Sequence, residues 1–299
     1  MVDYDLERID KIRKLTIISM FTASDYLMKF FALKGGNALN YVYNVNQRSS
    51  LDVDISMEGS FEDIGMTMDD IKDTLKSNFE KTFAQHGFEV FDFELEKKPS
   101  TMDESQEKFW GGYRVVFKVL QIKKWEELDD IEDKRRQAIP YTLNHRRNFS
   151  VDISRHEYCA GKEEKHLDDY LIFVYSPRMI VLEKLRSICQ QTKEYAEKIG
   201  THQRRGRAQD FFDIYITINR YDIDLYSSES IEELKEIFKI KRVPLEYLSI
   251  IEKDIEFHRD SFQVVQDTVY NPEELRKYEF YFDYVINIAD NLSKMLGIK

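Results

Sequence analysis

Cysteine and proline are scarce in this chain. Of 299 residues, two are cysteine and five are proline. Cys159 and Cys189 lie far apart with no Cys-x-x-Cys spacing, which excludes a disulfide framework and a thiolate zinc site. The histidines (His86, His145, His156, His166, His202 and His258) show no His-Glu-x-x-His or other close ligand pairing, so transition-metal chemistry is not expected. A carboxylate site for a hard cation, Mg²⁺ or Mn²⁺, stays open. No apolar run approaches the length of a membrane-spanning helix. The opening MVDYDLERID is acidic and lacks the basic-then-apolar order of a secretory signal. The expectation is a cytoplasmic protein with no membrane association. An excess of positive charge is missing too: the net charge of −11 argues against non-specific coating of DNA.

What is present is a globular composition, 42% hydrophobic and 13% aromatic, in a chain long enough for two modest domains or one large one with a sizeable core. Ile9, Ile12, Leu15, Ile18 and Phe21 recur at helical spacing and predict a helix over 6–30. FALKGGNAL, at 31–39, breaks that pattern with paired glycines and restarts as a short helix. Leu51 to Met57 alternate apolar and acidic residues, as a half-buried strand does. A helix over 67–85 ended by Gly87 follows, then strands in GFEVFDFELEKKP, FWGGYRVVFKVLQI and NFSVDIS. From Ser176-Pro177, an N-cap with proline at the first helical position, the character turns helical. Helices are predicted to about Gln191, over 206–219, and from Asn271-Pro272 to about 296. The expected fold class is α+β. Residues 1–165 form a lobe with a mixed β-sheet flanked by helices, and 166–299 an all-helical lobe that completes an active-site cleft.

The stretch LKGGNALNYVYNVNQRSSLDVDIS, at 33–56, carries the chemistry. Asp52 and Asp54, two apart on a strand, point to one side. Adjacent carboxylates repel unless a cation sits between them, and hard divalent ions recruit substrate phosphates as further ligands. Alone, this pair reads more readily as the solvent face of an edge strand. Upstream, Gly35-Gly36 permits close backbone approach, and a helix starting at Asn37 aims free N–H groups at a phosphate. Arg48, Ser49 and Ser50 add a guanidinium and hydroxyls suited to phosphate oxygens. Each has a plain structural explanation; together they are harder to dismiss.

This arrangement resembles the opening motif of the AbiEii/AbiGii-type nucleotidyltransferase toxins, within the DNA polymerase β-like superfamily. Leu33, Lys34, Gly35, Gly36, Ala38, Leu39, Arg48, Ser50, Asp52 and Asp54 fit the family pattern. Asn37 departs from it, standing where the family usually carries serine or threonine; its amide can still donate to phosphate. Ile180–Arg186 (IVLEKLR) is similar to the family's Glu-Lys-Leu helix, and Arg207–Tyr215 (RAQDFFDIY) to its Arg-x-x-Asp-x-x-Asp-Leu helix.

The resemblance implies a Mg²⁺-dependent enzyme, the toxin half of a toxin–antitoxin or abortive-infection phage-defence pair, transferring a nucleoside monophosphate from an NTP to a hydroxyl. Asp52 and Asp54 would hold the metal, and Gly35, Gly36, Asn37, Arg48 and Ser50 the phosphates. Lys184 and Asp210 are family active-site positions, with Asp152 a third carboxylate on a later strand, as base or added ligand. Asp210 either pairs structurally with Arg207, one turn before it, or orients Lys184 or the acceptor hydroxyl. A tRNA 3′ end is the expected acceptor, tracked by two basic clusters: Lys134, Arg135, Arg136, Arg146 and Arg147, then Lys198, Arg204, Arg205 and Arg207. A cognate antitoxin is the implied partner. The rival readings are transfer to a protein or small molecule, or a nucleotide-binding regulatory module without turnover.

Overall fold

The computed structural model describes residues 5–45, 52–101, 103–141, 146–200 and 204–298. Its chain divides into two compact units. One comprises Met1–Asn37, Leu51–Cys159 and Glu163–Val174, and the other Ala38–Ser50, Ala160–Lys162 and Tyr175–Lys299.

The first unit is built on a seven-stranded mixed sheet in the order β3-β4-β5-β2-β1-β7-β6. Its strands are β1 (Phe31–Lys34), β2 (Val53–Met57), β3 (Phe88–Lys98), β4 (Gly112–Gln121), β5 (Phe149–Ser154), β6 (Lys162–Leu167) and β7 (Tyr170–Tyr175). β1 runs antiparallel to β2 and parallel to β7, and β2 runs parallel to β5. β4 is antiparallel to both β3 and β5.

Alternation sets the two faces of this sheet. Val53, Ile55, Val115, Phe117, Phe149, Val151 and Ile153 are buried. Asp54, Arg114 and Asp152, offset by one residue, point to the other face and are half-buried. α1 (Leu6–Phe21) and α2 (Met68–Ala84) pack on each other, and α2 also packs on β3. Phe79 and Phe83 of α2 meet Phe117 edge-on at 5.1 and 5.8 Å between ring centroids, and Phe117 stacks on Phe149 at 5.7 Å. α2 begins with a capping box in which Thr67 and Asp70 satisfy each other's backbone N–H groups.

The predicted helix over 6–30 ends at Phe21, followed by a four-residue helix at Asp25–Met28. The chain then becomes β1 rather than remaining helical. All four residues of β1 are buried, so neither alternation nor helical spacing announces the strand. Beyond Lys34 the paired glycines do restart a helical segment, a turn at Gly35–Asn37 and a wider π-type turn at Ala38–Val42. The sheet continues past residue 165, because β6 and β7 belong to it.

The second unit is largely helical. It contains α3 (Pro177–Cys189), α4 (Ala208–Tyr221), α5 (Ser228–Ile240) and α6 (Tyr278–Met295). Ser176 caps α3 by accepting the Met179 N–H, as Ser-Pro at this boundary leads one to expect. α4 packs on both α3 and α6, and α5 on α3. Phe211 stacks on Phe282 at 5.3 Å, and Phe212 meets Tyr281 edge-on at 5.2 Å. Asn271-Pro272 opens only a single turn ending at Glu274, and the long final helix starts at Tyr278. Among the described residues, no helix is long and apolar enough to cross a membrane.

Candidate functional site

One level of the sheet carries a row of charges. Lys34 on β1 is the register partner of Asp54 on β2, and Asp54 is the partner of Asp152 on β5. Asp152 faces Arg114 on β4, which faces Glu96 on β3. Register partners project to the same face of a sheet, with neighbouring strands roughly 4.8 Å apart. Two carboxylates therefore stand side by side in the middle of the row, with a cation beyond each.

Gly35 meets Asp54 directly. Its φ of +69° suits glycine, and a Cβ placed there would stand 3.0 Å from Asp54 Oδ2. The first glycine of the pair thus leaves room for the second acidic residue. Asn37 ties the same turn to Asp52: its Nδ2 donates to the Asp52 carbonyl at 2.5 Å. The Asn37 Oδ1 is buried and finds no hydrogen-bond partner among the described residues. The amide expected to face phosphate is thus engaged in bracing the strand entrance with one of its N–H groups. Gly36 is buried within the turn.

Asp52 precedes β2 and is exposed. Its Oδ1 accepts from the Tyr141 hydroxyl at 3.3 Å. Burial raises the Tyr141 pKa, and the neighbouring Asp52 charge raises it further. Arg48 and Ser50 lie outside the described residues.

Asp152 is held by two cations. Arg114 Nε and NH2 donate to its Oδ1 and Oδ2 at 2.7 and 3.1 Å, and Lys98 Nζ donates to Oδ2 at 2.6 Å. Burial alone would raise its pKa, but the bonds and charges of Arg114 and Lys98 outweigh it and hold the carboxyl below its ordinary value. Arg114 is raised in return, first by its bond to Asp152, against the opposing effect of burial, and further by the charges of Asp152, Asp52 and Glu96. Lys34 reaches Glu157 Oε1 at 3.4 Å.

Sequence reasoning named the three aspartates but not Lys98, Arg114 or Tyr141. A signal for Arg114 existed: in GYRVVFK, Arg114 and Lys118 alternate with Tyr113, Val115 and Phe117. No local pattern marks Tyr141, because its contact depends on a connection folding back from β4.

The second unit has a separate cluster. Lys184 on α3 is buried, and its Nζ lies 2.7 Å from Asp210 Oδ1 and 2.9 Å from Asp213 Oδ2, both on α4. Arg207 NH1 lies 3.5 Å from Asp210 Oδ2, so the two pairings envisaged for Asp210 occur together. Asp210 and Asp213 are three positions apart on the helix, which puts both carboxylates on the face that meets α3. Asp213 was not among the expected site residues, although the same spacing marks it.

The first basic cluster is partly engaged within its own unit. Arg135 binds Asp92 through Nε and NH2 at 2.8 Å each, Arg136 pairs with Asp133, and Lys134 sits 3.9 Å over the Trp125 ring. In the second cluster Arg204 pairs with Asp254 at 2.6 Å, whereas Lys198 and Arg205 are exposed.

A hard divalent cation fits this chemistry. Asp54 offers a carboxylate oxygen beside a glycine-backed turn and Asp52, two positions earlier, a second and exposed carboxylate, and magnesium commonly takes one or two carboxylates and completes its shell with waters and substrate phosphates. Among the described residues, no group of three or more histidine, cysteine, aspartate or glutamate side chains is arranged to hold a metal by itself.

A family model described as "Nucleotidyl transferase AbiEii toxin, Type IV TA system" matches residues 20–282. Among solved structures, MenT4, a nucleotidyltransferase toxin from Mycobacterium tuberculosis H37Rv, is similar at 14% identity and a TM-score of 0.52, over 95% of this chain and 83% of that one. JHP933 from Helicobacter pylori matches at 14% identity and a TM-score of 0.47, over 99% and 95% of the two chains. At this identity the likeness to MenT4 bears on the fold. No curated protein matches the chain.

Proposed function

The chain belongs to the AbiEii nucleotidyl transferase toxin family of type IV toxin–antitoxin systems, and we propose that it transfers a nucleoside monophosphate from an NTP to the 3′-hydroxyl of a tRNA, with Asp52 and Asp54 holding Mg²⁺ or Mn²⁺. The observation that carries this reading is the contact of Gly35 with Asp54: a left-handed glycine leaves space immediately beside the second carboxylate of the pair.

In the reaction the acceptor oxygen bonds to the α-phosphorus, and the bond to the bridging oxygen breaks. Pyrophosphate leaves with that electron pair. Bound at Asp52 and Asp54, the cation supplies charge compensation for the triphosphate. Gly35, Gly36 and Asn37, with Arg48 and Ser50, cradle the β- and γ-phosphates. Asn37 also fixes where Asp52 sits, through the Asp52 carbonyl. Asp152 is the candidate acceptor for the hydroxyl proton, with Lys98, the more exposed of its two partners, as the cation that gives way. Lys184 and Asp210 are assigned to the transfer from the family motif. Their buried pairing suits charge held in a fixed position.

A type IV toxin implies an antitoxin partner, and we expect its gene to lie alongside. Because Arg135 and Arg136 are paired internally, the exposed Lys198 and Arg205 are the better candidates for tracking an RNA backbone. The test is incubation of the protein with each labelled NTP, Mg²⁺ and total tRNA, beside protein extract and aminoglycosides as rival acceptors. Wild type should label tRNA, and Asp54→Asn should lose at least about 100-fold in rate. Labelling of a rival acceptor alone would reassign the substrate. Tight NTP binding without pyrophosphate release would favour the regulatory module.

A further inference from the structure

The amino end of α4 has no cap of its own. Arg207 occupies the N-cap position, and its side chain makes no capping hydrogen bond. Helix starts leave unsatisfied N–H groups, which a neighbouring acceptor normally takes. Here the acceptors come from a segment about fifty residues further along the chain. The Arg207 N–H donates to His258 Nδ1 at 3.1 Å, and the Ala208 N–H donates to Ser261 Oγ at 3.0 Å. Ser261 Oγ in turn donates to the His258 carbonyl at 2.8 Å, which joins the two acceptors into one unit.

Several contacts hold that unit against the start of α4. Gly206 admits it: a Cβ there would come within 2.6 Å of Ser261 Oγ and 2.7 Å of Ser261 Cβ. Arg204 pairs with Asp254 at 2.6 Å and lies 4.1 Å over the Phe257 ring. The His258 ring is buried and packs on Phe211 at 5.2 Å. Burial pushes its pKa down to about 4, so the ring is neutral near pH 7 and Nδ1 is available as an acceptor. The charged groups facing the ring are Asp254, Arg204, Asp210 and Arg207.

We propose that His258 and Ser261 are positioning residues for the transfer reaction, supplying from a distant segment the cap that sets the first turn of α4 and so holds Asp210 against Lys184. Asp210 stands three residues after the capped Arg207, and the Asp210 N–H closes that turn on the Arg207 carbonyl at 2.8 Å. A loosened first turn would move Asp210, while Asp213, one turn further in, would keep its own contact with Lys184. The inference rests on the assignment of Lys184 and Asp210 to the reaction.

The test combines two measurements on the full-length protein. Amide hydrogen exchange at Arg207 and Ala208 reads the cap, and steady-state transfer from a labelled NTP to tRNA reads its consequence. His258→Asn keeps an acceptor near the Nδ1 position, whereas His258→Leu removes it; Ser261→Ala removes the second acceptor at little cost in packing. His258→Leu should speed exchange at both amides and lower kcat by about tenfold with KM for the NTP unchanged. His258→Asn should recover most of both, and Ser261→Ala should act mainly at Ala208. Equal loss of kcat in His258→Leu and His258→Asn, or fast exchange at these amides in the wild type, would overturn the proposal. Should His258→Leu fail to fold, Ser261→Ala and His258→Asn still decide it. If the wild type transfers nothing, the functional reading fails, and the exchange measurement continues to decide the cap.

Discussion

Asp54 and Asp152 stand directly opposite each other on neighbouring parallel strands, and Asp152 is gripped by both an arginine and a lysine. Like charges at that spacing oppose one another. The clamp formed by Arg114 and Lys98 is what allows the second carboxylate to remain ionised there.

Removing the clamp should therefore be costly. Arg114→Met leaves Asp152 with Lys98 alone and should destabilise the protein by about 1–3 kcal/mol, a range reduced for the partial exposure of the guanidinium. Asp152→Asn combined with Arg114→Met should cost less than the two single changes added together. Urea denaturation of the four proteins in the cycle measures the coupling. Additive costs would show that the clamp does not act as a unit.

Gly35→Ala asks for two incompatible things: a left-handed backbone with a Cβ, and space that Asp54 Oδ2 already fills. The backbone alone should cost about 1–2 kcal/mol. Displacement of Asp54 should lower transfer at least about tenfold beyond any loss of folded protein, measured at a temperature where circular dichroism shows the variant folded. Full activity in that variant would mean Asp54 does not need its present position.

Lys184→Met removes the buried cation shared by two buried carboxylates, Asp210 and Asp213, on one face of α4, while Arg207 stays beside Asp210. Loss of one partner from a buried ionic cluster costs about 3–5 kcal/mol. Converting both aspartates to asparagine in the same protein should return most of that stability. Thermal and urea unfolding of the single and triple variants would show it, and a single variant as stable as wild type would contradict the burial of the cluster.

His258 should make the protein acid-sensitive in a defined window. Its pKa falls from 6.5 to about 4 in the folded state, chiefly through burial, with Asp254 and Asp210 pulling it up and Arg204 and Arg207 pushing it down. Between those two values the unfolded chain binds a proton that the folded chain refuses, so stability rises with pH. The contribution is complete above pH 6.5 and declines as pH falls toward 4. Lowering the pH from 7 to 4.5 should remove roughly 2–3 kcal/mol through this group. His258→Asn should lose less over the same range, read from urea midpoints at the two pH values.

Much of the acidic site was legible because alternation is a local signal. VDIS around Asp54 and VDIS around Asp152 both display it, and each was assigned to a strand whose other face is apolar. What stayed hidden was non-local. Nothing in either segment states that β2 and β5 are neighbours, or that the register sets Asp54 level with Asp152. β1 was hidden for a different reason: FALK is buried on both sides, with no alternation to mark it, and follows directly on a helical segment. KEEKHL, which forms β6, reads as solvated surface because most of its side chains are only partly covered. In the helical unit, motif and spacing single out Lys184 and Asp210, and the structure brings them together. The cap from His258 and Ser261 could not be read, since it joins segments far apart in sequence.

β1 is flanked by β2 on one side and by β7 on the other, so its outer edge is covered by a strand made some 140 residues later. A ribosome that has not yet released Tyr170–Tyr175 carries a chain whose glycine turn and acidic hairpin are already synthesised, but whose β1 edge is still bare. Cutting the gene at residue 165 would make that exposure permanent, leaving an open strand edge prone to join other chains. Late arrival of β7 thus delays completion of the platform on which the acidic pair stands until Tyr175 has been made.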